Sequence, residues 1–498
     1  MASTKSDERD DDLLQRFSER RIVAARDGRG DGALIREREV LIDLSDPDAV
    51  SEGADRLDHR ERGSSPRATP GDLAETLRAE VTSRSEARPR GQQDGEEGTA
   101  AKPRSNLLRV TLSGDRDATT SPVEQIAAAI DELTDAGLRA TPNYVYFGAA
   151  NFTGSPLYGG SPLYGGSPLY GGSPLYGGSP LYGGSPLYGG SGEVRSSARP
   201  TLEPPPRPES AAASTRTDGA PRILILDTGL KTTTVDGART PEHEGLRAAC
   251  TIHDEWRDED DRDVEDDEDE TDGNGNDHLD VQSGHGTFIA GIVNRWCPDA
   301  EIHVDGVLSS FGDGDDASVA DGLWRAIGRL PAGAHFDVIV MSLGAYTIDD
   351  EPPPLAVDIA RLPSETLVVA AAGNAGSARP FWPAALPDVV SVGALDSGGR
   401  AWFSNYGGWV DACAPGVDVC STFFTDFDDP VGNDRSGSAN AFRGWATWNG
   451  TSFTAPKVAA LVAADAQRHG VTAPDAWKRL SYHQHFRFPD LGVVFNVV

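Results

Sequence analysis

Four polar side chains stand where this chain could do chemistry. Asp227 closes the apolar run RILILD, and His285 sits between two glycines in SGHGTFIAG. Asn374 leaves the buried-looking run VVAAAGNAG, and Ser452 follows Gly450 and Thr451 in NGTSFTAP. Each is ordinary alone: an Asp after a strand caps a turn, a Gly-flanked His is commonly structural, and a Ser at a helix start is commonly an N-cap. Together they supply the orienting acid, base, oxyanion donor and nucleophile of acyl transfer. A serine hydroxyl is a poor nucleophile until a base takes its proton, and neutral imidazole suits that task near pH 7. Asp227 would hold His285 in the right tautomer and stabilise its imidazolium. The Asn374 side-chain amide and the Ser452 backbone N–H would meet the tetrahedral oxyanion.

The order Asp, His, Asn, Ser with these flanks resembles the subtilase (subtilisin-like) family of serine endopeptidases. SGHGTFIAGIV is similar to the family's histidine motif and NGTSFTAPKVAALVA to its serine motif. MSLG (Met341 to Gly344) resembles the segment whose backbone pairs with substrate, and WPAALPDVVSVGA and FSNYGGWVDACAPG resemble the intervening scaffold. The resemblance covers residues 221–470. It implies peptide-bond hydrolysis, a polypeptide substrate, no cofactor for the chemistry, and a substrate cleft formed by Ser342, Leu343, Gly344, Ala345, Ala371 and Gly373. Those small walls leave room for a large apolar side chain, which Ala345, standing where a second glycine is usual, would narrow. Phe288 replaces a second histidine, Phe453 a methionine and Lys457 a histidine; these changes bear on packing and specificity rather than on the triad.

The elements that must position these groups are legible in outline. From Pro221 to Val498, continuous Val/Ile/Leu runs alternate with helical stretches, the signature of a parallel sheet covered on both faces. The expected fold is therefore α/β, a doubly wound subtilisin-like sheet. Residues 105–150 read as a small β-α-β unit: a strand in NLLRVTLS, a helix opened by Ser121-Pro122-Val123-Glu124 and stopped near Gly137, and a second strand in TPNYVYFGAANF. Fewer than 50 residues make a marginal core, so this unit should dock on the catalytic domain, with the Arg36–Leu44 strand added to it. A propeptide-like chaperone and inhibitor and a docking module for a partner both fit it. Residues 1–104 are otherwise expected to be largely disordered, being rich in charge, Ser, Gly and Pro. Residues 151–220 form a linker with six perfect copies of SPLYGG at 155–190, a composition suited to extended and turn conformations.

Composition sets the remaining limits. Lys+Arg 45 against Asp+Glu 78 gives a net charge of −33, which argues against nucleic acid as a partner. No apolar stretch reaches the ~18–20 residues that cross a bilayer, and the first residues lack the apolar core of a secretory signal, so a cytoplasmic protein is expected. Four cysteines are no disulfide framework and read as reduced thiols. Asp254–Asp280 carries 16 acidic residues and two arginines. It reads as a solvated acidic loop, as guidance for basic substrates, or as a structural calcium site at Asp272–Asp277. Two functions follow as expectations: a serine endopeptidase that also cuts itself after Leu or Tyr within residues 155–190, or a scaffold or peptide precursor whose SPLYGG array is the working part.

Overall fold

The computed structural model describes residues 20–26, 32–60, 73, 75–80, 103–112, 120–148, 195–196, 219–251, 279–280, 282–397, 399–429, 440–484 and 486–495. The SPLYGG array and the Asp272–Asp277 oxygens lie outside them.

The elements used below are β1 (Ile22–Arg26), β2 (Gly32–Asp43), α1 (Pro47–Arg60), β3 (Leu107–Thr111), α2 (Pro122–Asp135), β4 (Ala140–Gly148), β5 (Arg222–Asp227), α3 (His285–Trp296), β6 (Glu301–Gly306), β7 (Asp313–Asp315), α4 (Asp316–Arg329), β8 (Val338–Met341), β9 (Leu343–Gly344), β10 (Leu367–Ala371), β11 (Val389–Asp396), β12 (Ala412–Pro415), α5 (Ala455–His469) and β13 (Gly492–Val494). The large sheet runs β13-β12-β11-β10-β8-β5-β6 and ends on the strand Cys250–Thr251, with every neighbour in that run parallel. Side chains alternate across a strand, so the apolar run of β5 feeds two cores at once. Ile223 and Ile225 join a cluster with Phe288 and Ile289 of α3 and Val458 and Val462 of α5. Leu224 and Leu226 join another with Val319 and Leu323 of α4. β8 divides the same way: Val338 and Val340 go to the first cluster, Ile339 and Met341 to the second. Both faces are therefore covered, as continuous rather than alternating hydrophobicity requires.

The N-terminal region is more ordered than its composition suggests. β2 is the middle of an antiparallel sheet, flanked by β3 and β4, and β1 pairs with its first half. The expectation of disorder for residues 1–104 is corrected at residues 20–26 and 32–60: Val40, Leu41 and Ile42 of β2 and Val50, Ala54 and Leu57 of α1 are all buried. Charged residues occupy the outer faces and leave enough apolar side chains for one inner face. α2 opens on a capping box, with Ser121 Oγ accepting from the Glu124 N–H and the Glu124 carboxylate accepting from the Ser121 N–H. It closes at Gly137, whose φ is 90°. Most buried apolar residues of this unit share one cluster with α4, β9 and the lower face of the large sheet, while Ile22, Leu34, Val145 and Phe147 form another.

Backbone pairing continues across that contact. β4 lies antiparallel to β7 on one side, Phe147 opposite Asp313, Tyr146 opposite Gly314 and Val145 opposite Asp315. On its other side it meets β9, Gly148 opposite Leu343 and Phe147 opposite Gly344. The Gly148 N–H also donates to the Gly312 carbonyl at 3.0 Å. Around the strand, Arg20 and Arg36 reach Asp313, and Arg36 and Arg109 reach Asp315.

Candidate active site

The loops at the carboxyl end of the large sheet gather all four chemistry-bearing residues. Asp227 is the last residue of β5, level with Gly306 of β6, and its Oδ1 accepts from the Thr228 N–H at 2.8 Å. His285 opens α3. The preceding Gly284 has φ 81°, and a Cβ there would lie 2.1 Å from the Phe423 ring. At Gly286 a Cβ would lie 2.1 Å from the Gly229 carbonyl oxygen. The two glycines flanking the histidine thus serve a left-handed turn and a close backbone approach respectively. The Gly286 N–H donates to Thr228 Oγ1 at 2.9 Å, which ties the histidine helix to the turn after Asp227.

His285 Nδ1 lies 2.6 Å from Asp227 Oδ1, both residues fully buried. With Nδ1–H donating to the carboxylate, the neutral ring presents Nε2 as an acceptor, and Nε2 has no hydrogen-bond partner among the described residues. Ser452 sits in a single 3₁₀ turn (Thr451–Phe453) before α5. Its Oγ donates to the Ser342 carbonyl at 3.1 Å, while Ser342 Oγ donates to the Ser452 carbonyl at 2.8 Å. Asp227 and His285 are in contact, and the Ser452 hydroxyl is turned to Ser342 between β8 and β9. The Asn374 carbonyl oxygen accepts from both the N–H and the hydroxyl of Thr451, at 3.0 and 2.9 Å. That fixes the amide plane and turns its Nδ2 side away from Thr451.

The three departures from the family pattern acquire physical roles. Phe288 and Phe453 pack on one another, with centroids 4.6 Å apart, and Trp448 lies edge-on to His285 at 5.6 Å. Phe453 also faces the His285 ring at 5.5 Å, so aromatic rings pack around the imidazole. Lys457 donates to the Pro415 carbonyl at 2.7 Å; burial, reinforced by Arg295, brings it down to about 7. Burial pushes the thiols of Cys250, Cys297 and Cys413 up to about 12, which leaves them inert near neutral pH.

Of the residues expected to line the cleft, Leu343 and Gly344 pair with β4, Ser342 holds Ser452, and Ala345 bridges to Trp382. Ala371 ends β10, and the Gly373 N–H donates to Thr451 Oγ1 at 3.1 Å. Sequence reasoning missed Asp316, whose carboxylate accepts from the Tyr144 N–H, the Tyr146 hydroxyl and the Leu355 N–H. It missed Gln282 as well, whose amide reaches the Gly148 carbonyl at 3.5 Å. The signal for Asp316 was the doublet Asp315-Asp316 at a helix start, where only the first acid is needed as the cap. No group of three or more His, Cys, Asp or Glu that could hold a metal occurs among the described residues, and no described helix is long and apolar enough to cross a membrane.

Residues 219–485 match the Subtilase family. The chain belongs to that family. This subtilase is 36% identical over 200 residues to a thermophilic serine proteinase of Bacillus sp. (strain AK1), covering 38% of this chain and 43% of the relative. It is 32% identical over 219 residues to subtilisin Savinase of Lederbergia lenta, covering 41% of this chain and 69% of the relative. It spans about half the length of most of the curated relatives it matches. Among solved structures, a lanthipeptide protease superposes with a TM-score of 0.43 at 23% identity, over 56% of this chain and 86% of that one.

Proposed function

We propose that this subtilase is a serine endopeptidase held latent by its own N-terminal unit. The observation that carries the chemistry is the buried His285–Asp227 contact at 2.6 Å, with Ser452 buried in the turn before α5. Ser452 Oγ leaves the Ser342 carbonyl, gives its proton to His285 Nε2 and attacks the carbonyl carbon of a peptide bond. The carbonyl oxygen becomes the oxyanion, met by Asn374 Nδ2 and the Ser452 N–H. Collapse breaks the C–N bond, and the imidazolium returns the proton to the departing amine. Water then repeats the sequence on the acyl-enzyme, restoring the serine.

Latency rests on β4. Leu343 and Gly344 offer backbone groups to an extended segment, and β4 takes them. β4 ends at Gly148 opposite Leu343, next to Ser342, whose carbonyl holds Ser452 Oγ. This occupation of the backbone beside Ser452 favours the inhibitor reading of the unit over a partner-docking module, with self-processing after Leu or Tyr within residues 155–190 of the linker that follows.

A fluorophosphonate probe and amino-terminal sequencing test the proposal. Ser452 of the processed chain should be labelled, Ser452→Ala should not, and the mature fragment should begin within residues 155–190. Processed, folded protein that stays unlabelled refutes the enzyme reading, and a fragment that begins elsewhere relocates the cut.

A further inference from the structure

We infer that Lys457 is a positioning residue for Ser452, tying the helix that follows the nucleophile to the end of β12. The inference rests on the protease reading of Ser452 and extends the packing role expected of Lys457 to the triad itself. Neither the 3₁₀ turn Thr451–Phe453 nor α5 has a side-chain cap at its start, so the segment carrying Ser452 must be held from outside. Two consecutive carbonyls do this. The Gly450 N–H donates to the Gly416 carbonyl at 2.9 Å, and Lys457 Nζ donates to the Pro415 carbonyl at 2.7 Å. The nucleophile is therefore gripped on both sides, once before it and once after.

The strip that does the gripping is itself fixed. The Gly416 N–H donates to the Leu395 carbonyl of β11 at 2.9 Å. A Cβ on Gly416 would lie 2.7 Å from Thr454 Cγ2 and 3.0 Å from the Gly450 carbonyl oxygen, so its backbone lies directly against the turn. The Asp418 N–H adds a third tie, to Asn449 Oδ1 at 2.6 Å. Lys457 is 7% exposed, and among the described residues the Pro415 carbonyl is its one hydrogen-bond acceptor. The neighbours along α5, Val458, Ala459, Ala460 and Val462, are all fully buried and apolar. Burying an amino group among them costs stability that an apolar side chain of the same length would not, and Arg295 of α3 adds to that cost. Packing alone does not call for it. A hydrogen bond to a carbonyl fixes direction, which apolar contact does not, and a nucleophile misplaced by 1 Å can lose about 10²-fold in rate.

Two measurements test this, and the first needs no catalysis. In full-length protein carrying Ser452→Ala, hydrogen exchange is followed at the Gly450 amide with and without Lys457→Met. Loss of the amino group should speed that exchange at least tenfold while β5 and β8 stay protected; unchanged exchange overturns the assignment. In the second, the processed active chain is given a fluorogenic tetrapeptide ending in leucine. Lys457→Met should lower kcat at least tenfold with KM within twofold, without any fall in melting temperature. Lys457→Gln, which keeps an N–H donor on a side chain one bond shorter, should recover kcat to within threefold of the wild type. A wild-type kcat in Lys457→Met, a loss carried by KM, or Lys457→Gln as slow as Lys457→Met each overturns the inference. So does a Lys457→Met chain that fails to fold, since the role is then structural. If Gly450 exchange responds but the parent neither cleaves the peptide nor takes the fluorophosphonate, the hold of Lys457 on the turn is supported and the protease reading is what fails.

Discussion

Arg36→Gln should loosen the N-terminal unit without touching the chemistry. Arg36 extends from β2 and sets Nε 2.8 Å from Asp315 Oδ2 and Nη2 3.2 Å from Asp313 Oδ2. Its side chain is 13% exposed and the two aspartates 2% and 6%, so water screens the contacts poorly. A close pair at an effective dielectric of 20 is worth about 4 kcal/mol before desolvation. Removing one partner of a buried pair typically costs about 3–5 kcal/mol, because it strands the other charge. Here Arg20 still reaches Asp313 and Arg109 still reaches Asp315, the latter from a side chain 40% exposed. A net loss of about 2–3 kcal/mol follows, equivalent to roughly 30- to 150-fold in the dissociation constant of the unit. After self-processing, release is read as the lag before peptide hydrolysis begins. The variant should shorten that lag by a comparable factor, whereas Lys478→Gln, in an exposed pair with Asp475, should not. An unchanged lag would refute the view that these ion pairs retain the unit.

Asn374→Ala should lower kcat by about 10²–10³ with little change in KM, and a wild-type kcat would remove Asn374 from the oxyanion site. Lys457→Met should raise the melting temperature below pH 7. Because the folded-state value is depressed to about 7, the unfolded chain binds the extra proton between there and the ordinary lysine range, so stability of the parent should climb with pH across that window and the variant's should not. Retention of the N-terminal unit should weaken as pH rises toward 8: burial holds the docked Asp316 up at about 8, so its contribution is whole below the ordinary carboxylate range and is lost by the point where it ionises. Asp315 acts oppositely, since Arg109 and Arg36 outweigh burial and hold it low; its contribution fails only in acid, and the lag should therefore be shorter at pH 9 than at pH 6.

The parts of the fold and site legible in the sequence are those fixed by local pattern. The β5 run, the glycines around His285, the Ser121 capping box and the stop at Gly137 each depend on neighbours within a few residues. What escaped depends on distant partners. The residues of β1 and α1 carry too little apolar surface to read as folded, and they bury it only because β4 and α2 complete the sheet. The depth of Asp316 comes from Tyr146, 170 residues earlier; without that strand, Asp315-Asp316 reads as two surface acids. Phe288 and Phe453 looked like separate departures, yet each fills the space the other leaves.

The geometry also separates retention from recognition. On the proposed reading, a peptide entering between β7 and β9 would repeat the backbone pairing of β4. It cannot repeat Arg20, Arg36 and Arg109, which come from β3 and from the segment of β1 and β2. On that reading Asp313 and Asp315 would distinguish the intramolecular occupant from a substrate. An inhibitor that shared every contact with substrate could be held only as tightly as substrate is. The arginines add affinity that no short peptide has, so the unit can persist after its own bond is cut while products leave. Arg36→Gln should then shorten the lag and leave the kcat/KM of the released enzyme on a short peptide unchanged.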